Sequence, residues 1–180
     1  MSTDKSAAPL RIVGYRPEYA ADFARLNYQW IEHYFRVEDE DRAALDQPES
    51  YAIVPGGEIF FVLRQQQVVG TVALVPKVKA PKVKAPKIFD PEDPARSQVI
   101  EFELAKMAVD PALQGLGIGK RLLDHAIAYA RQRGARRIVL STNDVLAPAL
   151  KVYGDAGFVA KPAAQDERYE RSNLFMQLEL

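Results

Sequence analysis

Apolar positions recur along this chain in two periods, and the switches between them mark its elements. Leu10-Arg11-Ile12-Val13 alternates weakly and predicts a short strand. Pro17 stands where a first helical turn would begin. Tyr19, Phe23, Leu26, Trp30 and Tyr34 follow at spacings of three and four, the stripe of an amphipathic helix. The acidic stretch 38–47 predicts a second short helix, and Pro55-Gly56-Gly57 a turn. Residues 58–64 and 68–75 read as two strands joined by Gln65-Gln66-Gln67, a hairpin-sized link.

Residues 99–109 form the next strand, with Glu101 and Glu103 on one face because strand side chains alternate. Asp110-Pro111 stops it. Ile118, Leu122, Leu123, Ala126, Ile127 and Ala130 then mark a helix ending near Gly134. Residues 136–140 are a strand, 146–156 a helix closed by Gly157, and 158–159 and 174–178 the last strands. Strands first, then strand, helix, strand, helix, strand, predict an α/β fold: a mixed central sheet with helices on both faces.

Between the strands ending at 75 and beginning at 99 the pattern breaks. Residues 77–86 are two copies of Lys-Val-Lys-Ala-Pro, and Lys77, Lys79, Lys82, Lys84 and Lys87 precede the next acid, Asp90. Prolines 81, 86, 91 and 94 exclude a central strand or a helix interior. The segment 76–97 reads as an extended, mobile insertion. It is either a basic arm for an acidic partner or for phosphates, or a repeat left solvated.

Composition narrows the classes. A chain of 180 residues suggests one domain, residues 10–180, behind a flexible N-terminus at 1–9. Lysine plus arginine equals aspartate plus glutamate at 24 each, so net charge argues for neither nucleic acid nor membrane. The absence of cysteine excludes disulfides, thiolate metal sites and cysteine nucleophiles. His33 and His125 are the two histidines, too few for a multi-histidine metal centre. No signal-like or membrane-length apolar run stands out, so the expectation is a cytoplasmic protein without metal.

The candidate chemistry gathers at Gln114-Gly115-Leu116-Gly117-Ile118-Gly119-Lys120, between a strand and the start of a helix. The first amides of a helix lack internal partners and carry partial positive charge, and glycines let a phosphate approach them. Lys120 and Arg121 add charge. A P-loop would need glycine at Gln114 and Ser or Thr at Arg121, and a dinucleotide fingerprint would need glycine at Lys120. Both patterns fail.

Gln114, Gly117 and Gly119 instead match Gln/Arg-x-x-Gly-x-Gly/Ala, the pyrophosphate-binding motif of the GNAT superfamily of acyl-CoA N-acyltransferases. The run 103–111 resembles the strand and turn that precede this motif there. Pro148 to Tyr153, followed by Gly157-Phe158, resembles its later Tyr-x-x-x-Gly-Phe helix. The close resemblance covers 99–158. It departs where many relatives carry an asparagine seven residues before the tyrosine: that position is Leu146, and the nearby asparagine is Asn143.

The resemblance implies a mostly antiparallel sheet and direct transfer of an acetyl group from acetyl-CoA to an amine, without metal. It implies Glu103 as general base, with Glu101 in reserve, and Tyr153 as general acid toward the CoA sulfur. Met107, Ala108 and Val109 would offer backbone groups to the pantetheine amides, with Asn143 near the pantetheine arm. The glycine loop, 114–120, would hold the pyrophosphate. Residues 169–173 and the end of the first helix would border the acceptor, where Arg171 is either a carboxylate clamp or part of a solvated turn. A homodimer is compatible with the resemblance. Two other readings remain: a non-catalytic acyl-CoA sensor on the same fold, and a nucleic-acid binder using the lysine repeat.

Overall fold

The structure, a computed structural model, describes residues 9–77, 101–162 and 168–180. The expectations for residues 1–8, for 78–97 of the insertion and for a strand start at 99 lie outside them. Among the described residues seven strands form one sheet: β1 (Leu10–Val13), β2 (Glu58–Arg64), β3 (Gln67–Pro76), β4 (Glu101–Val109), β5 (Arg137–Thr142), β6 (Val159–Lys161) and β7 (Leu174–Glu179). Their order is β1-β2-β3-β4-β5-β7-β6. All neighbours are antiparallel except β4 and β5, so the mixed, mostly antiparallel sheet is borne out. The α-helices among the described residues are α1 (Ala20–Tyr34), α2 (Asp39–Leu45), α3 (Ile118–Gln132) and α4 (Ala147–Asp155).

Both faces of the sheet are covered, each with its own core. On one, Leu122, Leu123, Ala126 and Ala130 of α3 pack on Phe60, Val72, Phe102 and Ile138, and Tyr153 of α4 joins them. On the other, Phe23, Leu26 and Ile31 of α1 and Leu45 of α2 pack on Ile59, Phe61 and Ala73. Two-sided covering explains why β2 and β3 read as nearly continuous apolar runs. Phe61 anchors the second core, 5.2 Å from the Tyr19 ring and edge-on to Phe23 at 6.5 Å.

Three boundaries differ from the sequence reading. Arg64 pairs with Gln67, so the hairpin loop is Gln65-Gln66 alone, both at positive φ (49° and 69°), the handedness a two-residue hairpin requires. Pro76, placed in the insertion by its composition, is the buried last residue of β3, paired with Phe102. The Lys77 amide continues that edge by donating to the Glu101 carbonyl at 2.8 Å. Residues 49–53 form a π-type turn that no periodicity announced.

Candidate active site

The site begins as a defect in the sheet. Thr71 pairs with Ala108 and Ala73 with Ala105, so β4 carries one more residue than β3 across this interval. Such a bulge twists the strand and takes residues out of the ladder. Lys106 within it has a left-handed φ of 52°, which costs a non-glycine residue about 1–2 kcal/mol. On the other edge of β4, parallel pairing with β5 runs only through Glu101↔Arg137, Phe102↔Ile138 and Glu103↔Val139. Beyond Glu103 the strands diverge, and the backbone of 104–109 faces a cleft of about 530 Å³. That volume suits a small-molecule site.

The glycine loop closes one end. Asp110 caps the 3-10 turn Pro111–Leu113 by accepting from the Ala112 amide at 2.9 Å. Gly115 and Gly117 have φ of 82° and 75°, conformations that favour glycine although a side chain would meet nothing within 4 Å. Gly117 is the N-cap of α3 and offers no side chain to its first amides. Those amides are therefore left for an anion. Gly70 sets the loop's height: a Cβ there would lie 3.0 Å from Ile118 Cγ2 and 3.1 Å from Leu122 Cδ1, so α3 descends onto β3 only because position 70 is bare. Lys120 is exposed and paired with Asp124 at 2.6 Å, which leaves the loop's attraction mainly to its backbone.

Of the residues singled out by sequence, Glu103, Tyr153, Met107, Ala108, Val109, Gln114, Gly115, Gly117, Ile118, Gly119, Lys120 and Asn143 all line this cleft; Leu116 stands outside it, 57% exposed. Tyr153 is 8% exposed, its ring 5.9 Å from Phe158. Burial pushes its phenol up to about 12. Glu103 is buried, with Oε1 accepting from Arg168 Nη2 at 2.5 Å and Oε2 3.5 Å from Lys77 Nζ. Glu101, the reserve base, contacts Arg137 at 2.7 Å and does not line the cleft. Asn143 uses both ends of its amide internally, donating to the Arg171 carbonyl at 2.5 Å and accepting from the Val145 amide at 2.9 Å. Trp30 and Tyr34, from the apolar stripe of α1, line the cleft, and Tyr34 is 45% exposed.

Arg171 fits neither reading made for it, its side chain being 16% exposed rather than solvated. Arg171 is no clamp for a substrate carboxylate, because its guanidinium grips Asp41 bidentately, at 2.7 Å through each nitrogen, and Glu38 at 2.9 Å. Asp41 is fully buried and also accepts from Lys106 Nζ at 2.7 Å. Burial alone would raise this carboxyl. The hydrogen bonds from Arg171, Lys106 and the Glu38 amide outweigh it and hold Asp41 at about 2. Burial lowers Lys106 from the ordinary lysine value, opposed by Asp41. Lys106 Nζ donates onward to the Tyr169 hydroxyl at 3.2 Å, and burial, reinforced by the Asp41 charge, raises that phenol. Sequence reading missed Asp41, whose one local signal is the spacing to Glu38: the two form a reciprocal capping box at the start of α2.

Among the described residues no group of three or more metal-binding side chains gathers, and no helix is long and apolar enough to cross a membrane.

Comparison with known proteins agrees with this geometry. The family described as Acetyltransferase (GNAT) family matches residues 24–158. Streptothricin acetyltransferase of Streptomyces lavendulae is 44% identical over 50 residues, which is 28% of this chain and 26% of that protein. The stretch shared with that relative is thus about a quarter of its length. A GNAT-family acetyltransferase from Staphylococcus aureus Mu50 superposes with a TM-score of 0.76 at 20% identity, covering 95% of this chain and 99% of that one. An acetyltransferase from Salmonella typhimurium, solved with its cofactor acetyl-CoA, gives 0.66 at 18% identity, covering 96% and 94%. With its glycine loop, its bulged β4 and three quarters of its length matched, this chain belongs to the acetyltransferase (GNAT) family.

Proposed function

We propose that this protein is an N-acetyltransferase that uses acetyl-CoA and acetylates a primary amine by direct transfer. The observation that carries the reading is the end of β4–β5 pairing at Glu103↔Val139. It opens the sheet between two differently equipped faces. On the α3 and α4 side lie the uncapped helix start and Tyr153; on the α1 and α2 side lie Trp30, Tyr34 and Phe35. The donor set fits acetyl-CoA: loop amides for the pyrophosphate, the unpaired edge of 107–109 for the pantetheine amides, and a phenol near the sulfur. When bound, acetyl-CoA supplies the activated acetyl group as a thioester.

The chain's own residues position and move protons. An alkylamine has a pKa of about 10.4 and must lose a proton before its nitrogen can attack. Glu103, buried at the mouth of the opening, is assigned to take that proton directly or through one water. Tyr153 stays protonated in the neutral range and is assigned to donate to the departing sulfur. Asn143 is engaged in its own loop, so its part is to shape the wall rather than to bind the pantetheine arm by its amide.

A second reading keeps one supporting observation. Both oxygens of Glu103 face cations, Arg168 and Lys77, as they would in an acyl-CoA sensor that performs no transfer. Turnover separates the two. CoA release is followed with a panel of amines in wild type, Glu103→Gln and Tyr153→Phe. The enzyme reading expects turnover that falls by roughly 10²–10⁴-fold in Glu103→Gln while acetyl-CoA binding persists. Binding without turnover by any amine, or equal turnover in both variants, favours the sensor or removes these roles.

A further inference from the structure

Glu103, the proposed base, is met by two cations of unlike chemistry. Arg168 Nη2 donates to Oε1 at 2.5 Å. Lys77 Nζ stands 3.5 Å from Oε2. A guanidinium stays protonated and attacks nothing. A lysine is a primary alkylamine, and it becomes a nucleophile once a base removes a proton. The ion pair between Lys77 and Glu103 therefore joins an acceptor-type amine to the group assigned to deprotonate one.

The sheet sets this meeting. The Lys77 amide donates to the Glu101 carbonyl at 2.8 Å, and Pro76 before it is buried opposite Phe102. Val75 pairs with Glu103. Side chains two residues apart along a strand share a face, so Lys77 leaves the end of β3 on the face that carries Glu103. It is the face of α1 and α2, since Val75 packs against the second core. The Lys77 side chain is 41% exposed against 9% for Glu103, so the amine approaches the base from solvent. Other lysines are spent elsewhere. Lys106 is held by Asp41, and Lys120 and Lys151 pair with acids on their own helices. Among the described residues Lys77 alone brings an amine to Glu103.

We infer that Lys77 is an internal acceptor, and that the protein transfers the acetyl group of acetyl-CoA to its own Lys77 Nζ. This rests on the acetyl-transfer reading and deepens it. Glu103 Oε2 takes a proton from the Nζ ammonium. The freed lone pair forms an N–C bond to the thioester carbonyl carbon, and the C–S bond breaks. The nitrogen gives up a second proton as the amide forms. The sulfur gains one proton through Tyr153, and the other passes to solvent. The products are free CoA and Nε-acetylated Lys77, which carries no charge and no longer pairs with Glu103.

The test incubates the full chain with saturating acetyl-CoA and no added amine, then maps acetylated lysines by peptide mass spectrometry at several protein concentrations. Wild type, Glu103→Gln and Lys77→Arg are compared, and acetyl-CoA binding by each is titrated separately. The expected result is acetylation at Lys77 with a rate that does not change on dilution of the protein. That rate should fall by roughly 10²–10⁴-fold in Glu103→Gln. Lys77→Arg, which keeps a positive charge beside Glu103, should gain no acetyl group there. Exposed Lys151 controls for uncatalysed acylation, and equal labelling of Lys151 and Lys77 overturns the inference. So does an unlabelled Lys77 in protein that binds acetyl-CoA, an undiminished rate in Glu103→Gln, or a rate that scales with protein concentration. Turnover of added amines with Lys77 unlabelled removes this inference alone. Failure of the wild type to bind acetyl-CoA removes the acetyl-transfer reading as well.

Discussion

Lys106 and Asp41, 65 residues apart in the chain, meet at 2.7 Å between Nζ and Oδ1, and the meeting point is the bulge that opens the cleft. Lys106 holds its left-handed backbone there while its side chain is tied to α2. Arg171 joins the same carboxylate and brings the segment before β7 with it. One buried aspartate thus fastens two separate pieces of the cleft wall to α2.

Asp41→Asn should destabilise the fold by about 3–5 kcal/mol, because it leaves buried cations without their counter-charge. Chemical denaturation measures this. In the double variant with Lys106→Met the losses should be clearly less than additive, since the two residues share one interaction. Additive losses would deny the coupling.

Acid should expose the same carboxylate. Asp41 is held at about 2, below its ordinary 3.8, so its contribution is complete above the ordinary value and disappears as pH falls through about 2. The stability gap between wild type and Asp41→Asn should therefore be constant near neutrality and narrow on acidification through this window. A gap independent of pH down to 2 would contradict the assignment.

Gly70 touches no ligand in this account, yet it sets how closely α3 approaches β3. Gly70→Val should overpack against Ile118 and Leu122, costing about 1–3 kcal/mol. It should also weaken acetyl-CoA binding by lifting the loop that starts α3. Denaturation and calorimetric titration read the two effects, and an unchanged affinity would show that loop height is immaterial.

Tyr153 carries a pH prediction with a definite sign. Its phenol is pushed up to about 12 by burial, so it remains a donor well beyond the ordinary tyrosine value. Any alkaline loss of kcat due to this residue belongs near 12. A break near 10 in the wild-type pH–rate profile that vanishes in Tyr153→Phe would contradict the buried acid.

The strands, helices and glycine loop were legible in the sequence because their signals are local. Period, turn chemistry and two positive-φ glycines all lie within a few residues of what they specify. The bulge was not legible, since one extra residue in β4 leaves no mark on the alternation from 101 to 109. The anchoring cluster was not legible either. Nothing local in the sequence links Asp41, Lys106 and Arg171, which the sheet and α2 bring together. Arg171, read as a substrate clamp or part of a solvated turn, is neither because its partner lies 130 residues away. Pro76 misled because it adjoins the Lys-Val-Lys-Ala-Pro repeat, yet it completes β3 opposite Phe102.

The most direct test of the central claim is calorimetric titration of acetyl-CoA into the purified protein, with CoA and ATP as comparators. The account predicts 1:1 binding of acetyl-CoA and CoA, weak binding of ATP, and loss of acetyl-CoA affinity in Gly117→Val. Absence of binding by both acetyl-CoA and CoA would contradict it and leave the glycine loop as a structural turn.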